Sequence, residues 1–342
     1  MSVLHRTDPP QRTQAFRSAH DRHRYFAVLA VLVILAGVFA LGLLVYNNPV
    51  PMTSPSFLPV VKRRMNALIA MAIAAVCQSL ATVAFQSITN NRVITPSLLG
   101  FESLYSAINT STIFFFGATS FIQFKGMTSF VVQMMAMIVL CLLLFGWLLS
   151  GRYANMQVLL LVGVIIGTGL KSVSSFMRRL LAPSEFDILQ ARLFGSVNNA
   201  DSSYFILAVP IVIIAAILLL RHAKRLNVLA LGKDVSTSLG SNHQRDVIYT
   251  LILVSVLMSV STALVGPLTF YGFLIATMTY QAVSTYDHRY LFPMAAVIGF
   301  LVITAAYFLM YHVFSAQGVV TIVIELFGGL AFLFVILRKG TL

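Results

Sequence analysis

The chain is short of charge, of cysteine and of polar linkers. Only 10% of its 342 residues are Asp, Glu, Lys or Arg, against about 25% in ordinary soluble domains, which excludes a water-soluble globular fold. The two cysteines, Cys77 and Cys141, sit inside apolar runs, so neither a disulfide framework nor a cysteine metal site is supported. His20 and His23 lie close together near the N-terminus, but two ligands without a third describe a solvated tail better than a metal site. No GxxxxGK[ST] phosphate loop is present: "GTGLKS" at 167–172 puts Leu170 between Gly169 and Lys171 at the end of an apolar run. HExxH, Gly-x-Ser-x-Gly and paired carboxylates on one helix face are also missing, which leaves an enzyme without nucleophile, base or metal set.

Apolar residues are what the chain has: 58% of the sequence, with a mean hydropathy of +0.90. The first 25 residues are polar and basic, and the run Phe26–Tyr46 that follows is longer than the roughly 7–15 residues of a signal-peptide core. It reads as a retained first span. A bilayer crossing needs about 20 apolar residues, and that ruler gives about ten segments, near 26–46, 65–87, 98–118, 129–150, 156–176, 203–220, 246–266, 268–284, 291–312 and 319–337. The expected fold is an all-α polytopic membrane protein, with a basic tail (1–25) and one transmembrane domain (26–342).

The net charge is +13, but the cations flank apolar segments instead of forming one stripe, so nucleic acid is not an expected partner. With the N-terminus inside, fifteen Lys and Arg fall on the inner side and eight on the outer. The positive-inside rule then places both termini in the cytoplasm and requires an even number of spans. Lys62, Arg63 and Arg64 oppose the rule and ask for another reason.

Two stretches break the apolar pattern. In "RLNVLALGKDVSTSLGSN" (225–242), Val228–Gly232 and Val235–Gly240 read as two short helical turns, each closed by a glycine able to take the left-handed conformation. With Leu226, Leu229, Leu231 and Leu239 as apolar contacts, the segment either presses into a groove on another protein or is a solvated loop. In "NRVITPSLLGFES" (91–103), Pro96 and Gly100 interrupt the helix. Broken helix at membrane depth is tolerated only against protein or a water-filled cavity, so this stretch is expected to border a path, with Gln86, Thr95, Phe101, Glu102 and Tyr105 nearest the break. Glu102 is an intramembrane acid and thus a functional candidate, or it accepts hydrogen bonds from a neighbouring helix end. Glu325, in the last expected span, takes the same two readings, the structural one first.

The 225–242 segment resembles LNxLxLGExxAxxLG of the FecCD-type permeases of iron-chelate and cobalamin ABC importers. In the same order, "KRRMNALIAMAIAAVCQSLATVAFQSITNNRVITPSLLGFESLYSAI" (62–108), "LLLVGVIIGTGLKSVSSFM" (159–177), "ARLFGSVNNADSSY" (191–204), "YDHRYLFPMAAVIGF" (286–300) and "SAQGVVTIVIELFGG" (315–329) are similar to further signatures of that family. Two stretches depart from it. The family's NPLAxP is here "NRVITP", and "VGPLTFYGFLIATMTYQ" lacks its Pro-His and Arg, which puts substrate detail in doubt and resembles a sub-branch that pairs with a second, different permease.

The resemblance implies a type II ABC importer permease of the cobalamin-importer kind in a bacterial cytoplasmic membrane. It makes Leu226, Leu229, Leu231, Gly232, Lys233, Leu239 and Gly240 the element that docks on ABC ATPase subunits. It gives Lys62, Arg63 and Arg64 acidic partners on a periplasmic or lipid-anchored siderophore-binding protein, with outer-leaflet phosphates as the alternative. Gln86, Thr95, Pro96, Gly100, Phe101, Glu102 and Tyr105 would border the passage of an iron siderophore, with a catecholate as one guess, and a second permease subunit would complete that passage. No cofactor is implied, ATP being used by the partner. The alternative from another class is an ion-coupled secondary transporter, which needs buried acids in corresponding halves and internal repeats.

Overall fold

The computed structural model describes residues 15–16, 18–46, 55, 57–123, 126–150, 156–197, 200–313 and 320–339. Most of the N-terminal tail, with Lys125 and Arg152 of the charge tally, lies outside them. The described residues hold twelve α-helices: α1 (Ala19–Val45), α2 (Phe57–Thr89), α3 (Phe101–Gln123), α4 (Met127–Ser150), α5 (Met156–Arg179), α6 (Pro183–Leu193), α7 (Phe205–Leu229), α8 (Lys233–Ser238), α9 (His243–Val265), α10 (Tyr271–Ala282), α11 (His288–His312) and α12 (Val320–Lys339). Short 3-10 turns occur at Pro96–Leu99 and Ser202–Tyr204.

Each of the ten expected apolar segments falls on its own helix, α6 and α8 being the short extras. Among the described residues, seven are long and apolar enough to cross a membrane: those on α1, α2, α4, α5, α7, α9 and α11. The other three are shaped differently. Gly117 takes φ 74° inside α3 and breaks its helical geometry. At 12 residues, α10 reaches about 18 Å, short of the roughly 30 Å hydrocarbon core. At 20 residues, α12 reaches about 30 Å.

The bundle is built around α2 and α9, which pack on each other. On one side α2 meets α7, α10 and α11; on the other α9 meets α4 and, through it, the α3–α5 pair. Close approach is possible because α2 presents Ala70, Ala74, Ala75, Cys77, Ser79, Ala81 and Ala84, all buried; small residues let membrane helices bring their backbones together. Gly272 of α10 is required for the same reason, since a side chain there would run into Thr82. Peripheral α1 is pinned at both ends. At its start the Tyr25 hydroxyl donates to Tyr290 O at 3.0 Å, and Thr285 donates to Ala15 O.

Polar segment 225–242 folds differently from the two-turn expectation. Its first turn is not separate, because α7 continues unbroken to Leu229. His222, Ala223, Leu226 and Leu229 are buried, so the packed stripe of α7 carries on past Arg221. The chain turns at Gly232 (φ 95°), forms α8, and turns again at Gly240 (φ 81°), the positive φ that glycine tolerates best.

Candidate functional site

At the predicted break, Pro96–Leu99 is a 3-10 turn ended by Gly100 with φ 96°. Gly100 is obligatory on two counts. Its φ is left-handed, and a Cβ there would stand 3.0 Å from Gly167 Cα of α5. The backbones of the break and of α5 therefore touch. Most residues expected to border the path are packed inside the chain: Gln86, Thr95, Pro96, Phe101 and Tyr105 are buried. Gln86 Nε2 donates to Arg92 O at 2.6 Å and ties off the end of α2, while the Tyr105 hydroxyl donates to Arg192 O at 3.4 Å.

Glu102 stands differently. Thr269 Oγ1 lies 2.6 Å from Glu102 Oε2 and 3.1 Å from Glu325 Oε1, so one hydroxyl joins the two acids singled out in the apolar segments. Thr269 belongs to a second break, Gly266–Phe270, between α9 and the short α10; Gly266 has φ 92° and abuts Gly195. Glu102 Oε1 is buried without a hydrogen-bond partner, and among the described residues neither acid forms an ion pair. Three elements, the 3-10 turn with α3, the second break and α12, thus meet at one half-buried polar point.

Sequence reasoning passed over the polar face of α5. Gly163, Gly167 and Ser174 face inward, whereas Thr168, Lys171, Ser172, Ser175, Phe176 and Arg179 line an outward hollow of about 360 Å³. The spacing of residues 168, 171, 172, 175 and 179 is that of one helix face, and on a membrane-length helix such a cationic stripe calls for water or protein opposite it. The periodicity was there to be read.

At the end of the bundle that carries α8, the short helix is clipped to α9: Ser236 Oγ and His243 Nδ1 are 2.7 Å apart, and the Ser241 hydroxyl donates to Asp246 Oδ2 at 2.7 Å. Leu226 and Leu229 are fully buried anchors, while Leu231, Val235 and Leu239 are exposed. The surface left for a partner is therefore Leu231–Val235–Leu239, with Leu226 and Leu229 inside the bundle and Val235 added. Lys233 opens α8 and is exposed. Beside it is a cavity of about 710 Å³, bordered by Ser87, Arg92, Asn227, Leu231, Tyr280 and His288. Along its wall His288 contacts Ser87 Oγ at 2.6 Å and Asn227 Oδ1, and Asn227 Nδ2 donates to Asp287 Oδ1 at 3.1 Å. Burial opposes the Asp287 charge, but hydrogen bonds from Arg289 and Asn227 outweigh it and hold its carboxyl below the usual carboxylate range. One network thus links α2, α7 and α11.

The "KRR" cations divide. Lys62 and Arg63 are exposed. Arg64 Nη1 donates to Leu43 O at 3.2 Å, Leu44 O at 3.0 Å and Tyr46 O at 3.1 Å, capping carbonyls that the end of α1 leaves open. Arg64 thus has a structural role, and a docking face rests on the other two.

A helical bundle of membrane-length spans, broken beside a polar outward hollow and carrying an exposed short helix at one end, defines a transport permease. The chain belongs to the FecCD transport family, which matches residues 25–338. It is 67% identical over 341 residues to the petrobactin import system permease protein FatC of Bacillus anthracis, covering 100% of this chain and 96% of that one. It is 34% identical over 278 residues to the petrobactin import system permease protein YclO of Bacillus subtilis (strain 168), covering 81% and 88%. In fold it is similar to a solved inward-facing metal-chelate type ABC transporter, with a TM-score of 0.77 at 17% identity over 92% of this chain and 99% of that chain.

Proposed function

We propose that this chain is the permease subunit of an ABC importer that carries a petrobactin-type ferric siderophore across a bacterial cytoplasmic membrane. A separate ATPase drives it and a solute-binding protein supplies it. Residues 26–342 act as one permease domain with a basic tail. The single observation that carries the reading is the exposed Leu231–Val235–Leu239 face of a short helix clipped to α9. Closure of an ATPase on that face pushes α7, and the Asn227–His288–Ser87 contacts pass the push to α11 and α2. The cargo reading is supported by the 67% identity to a petrobactin import permease.

The α8 end faces the cytoplasm with both termini, since Arg92 and Arg289 gather around one cavity there beside Ala15 and the α7–α8 connection, and positive charge favours that side. Roughly ten helices then enter the membrane, α10 as a half-helix. Helices packed at their usual separation leave little lumen, so a second permease subunit closes the passage opposite the α5 stripe, where Lys171 and Arg179 face the negative charge of the chelate. Lys62 and Arg63 meet acidic residues of the binding protein. ATP is used by the partner, and the chain needs no cofactor of its own.

The test is uptake into liposomes holding the complete importer. Leu239→Asp should abolish ATP-driven uptake while leaving the purified chain as heat-stable as before. Concentrative uptake by this chain alone, driven by an ion gradient, would overturn the proposal.

A further inference from the structure

Between α7 and α9, near the α8 end, runs a groove of about 480 Å³ bordered by Leu218, Arg221, His222, Arg245, Ile248 and Ile252, among others. Its two walls share one polarity. Along α7, which runs toward α8, the order is Leu218 then Arg221; along α9, which runs away from it, Arg245 precedes Ile248 and Ile252. Since the helices run in opposite directions, both place cations at the α8 end and apolar side chains toward the middle of the bundle. Of the charges in the groove, Asp246 is held by Arg225 at 2.9 Å and by the Ser241 hydroxyl. The Arg221 and Arg245 guanidinium groups have no carboxylate partner among the described residues. His222 forms the floor, 7% exposed and packed against the Tyr249 ring, and its Nε2 has no hydrogen-bond partner. Ile217, Leu220 and Ile252 are exposed alongside, so this face turns toward acyl chains.

We propose that this groove seats one anionic phospholipid, its phosphate between Arg221 and Arg245 and an acyl chain along Leu218, Ile248 and Ile252. Basic pockets between helices at a membrane surface recognise such headgroups. A free phosphate would satisfy the cations but leave the apolar wall uncovered, and the wall is what selects a lipid. Bound there, the lipid braces α7 against the end of α9 to which α8 is clipped.

The full-length chain is compared in phosphatidylglycerol and in phosphatidylcholine bilayers by thermal unfolding, and by counting lipids retained in native mass spectrometry. Phosphatidylglycerol should raise Tm above its value in phosphatidylcholine and leave one retained lipid. R221Q/R245Q should lose that increment and that lipid, whatever its own Tm in phosphatidylcholine. K62Q/R63Q should keep both, because those cations are remote from the groove. Retention of the lipid by R221Q/R245Q, its equal loss from K62Q/R63Q, or reproduction of the increment by inorganic phosphate alone would each overturn the assignment.

Discussion

Both α2 and α5 are long and apolar enough to cross a membrane, yet 83% of the membrane-length window of α2 is buried within the chain against 17% of that of α5. The difference lies in what each helix offers its neighbours. On α2, small side chains on several faces let α7, α9, α10 and α11 close in. On α5 only the Gly163–Gly167–Ser174 face is packed, and the opposite face holds Lys171 and Arg179. Apolar composition makes a helix a membrane element; the distribution of small and charged residues around its axis decides whether it is core or wall.

Changes on α2 should therefore strike stability and changes on α5 transport, and the largest effect tests the first half. Ala81→Leu adds volume at a position with no exposed surface and should destabilise by about 1–3 kcal/mol, read as a lower Tm and a lower yield of folded protein in detergent. If Ala81→Leu behaved like wild type, α2 would not be the tightly packed centre described above.

Lys171→Glu should leave Tm unchanged and cut chelate uptake by about tenfold, equivalent to roughly 1.4 kcal/mol. Loss of heat stability with normal transport would reverse the assignment of α5. Between these extremes lies the meeting point of the two breaks. Thr269→Val keeps the size of the side chain but removes the hydroxyl shared by Glu102 and Glu325. Leaving the closed-off Glu102 carboxylate without its donor should cost about 1 kcal/mol at this half-buried point, so this variant should lose both stability and transport, with Glu102→Gln milder because an amide still offers a donor and an acceptor.

The same contrast shows what could be read from sequence. Runs of about 20 apolar residues locate helices because the bilayer sets their length, and Gly100, Gly232 and Gly240 mark turns because positive φ favours glycine. The α5 stripe follows from spacing alone, yet it is hidden when a segment is scored only for mean hydropathy. The Glu102–Thr269–Glu325 meeting is a different kind of fact. It joins residues 167 and 56 positions apart through a break in the chain, and no local pattern carries it. Likewise "KRR" reads as three equivalent cations until the end of α1 arrives beside one of them.

That last distinction gives the smallest effect and the narrowest test. Arg64→Ala uncaps the end of α1 and should destabilise the chain by about 1 kcal/mol, read as a lower Tm at any salt concentration. Lys62→Glu with Arg63→Glu should leave Tm alone and slow association with the binding protein a fewfold. Screening shortens the reach of exposed charges to about 8 Å at 0.15 M ionic strength, and rim charges act mainly on encounter rate. The slowing should therefore fade as salt is raised, while the Arg64 defect persists. A salt-independent association defect in the double reversal would place Lys62 and Arg63 in the fold beside Arg64, and leave the docking face to be sought elsewhere on that end of the bundle.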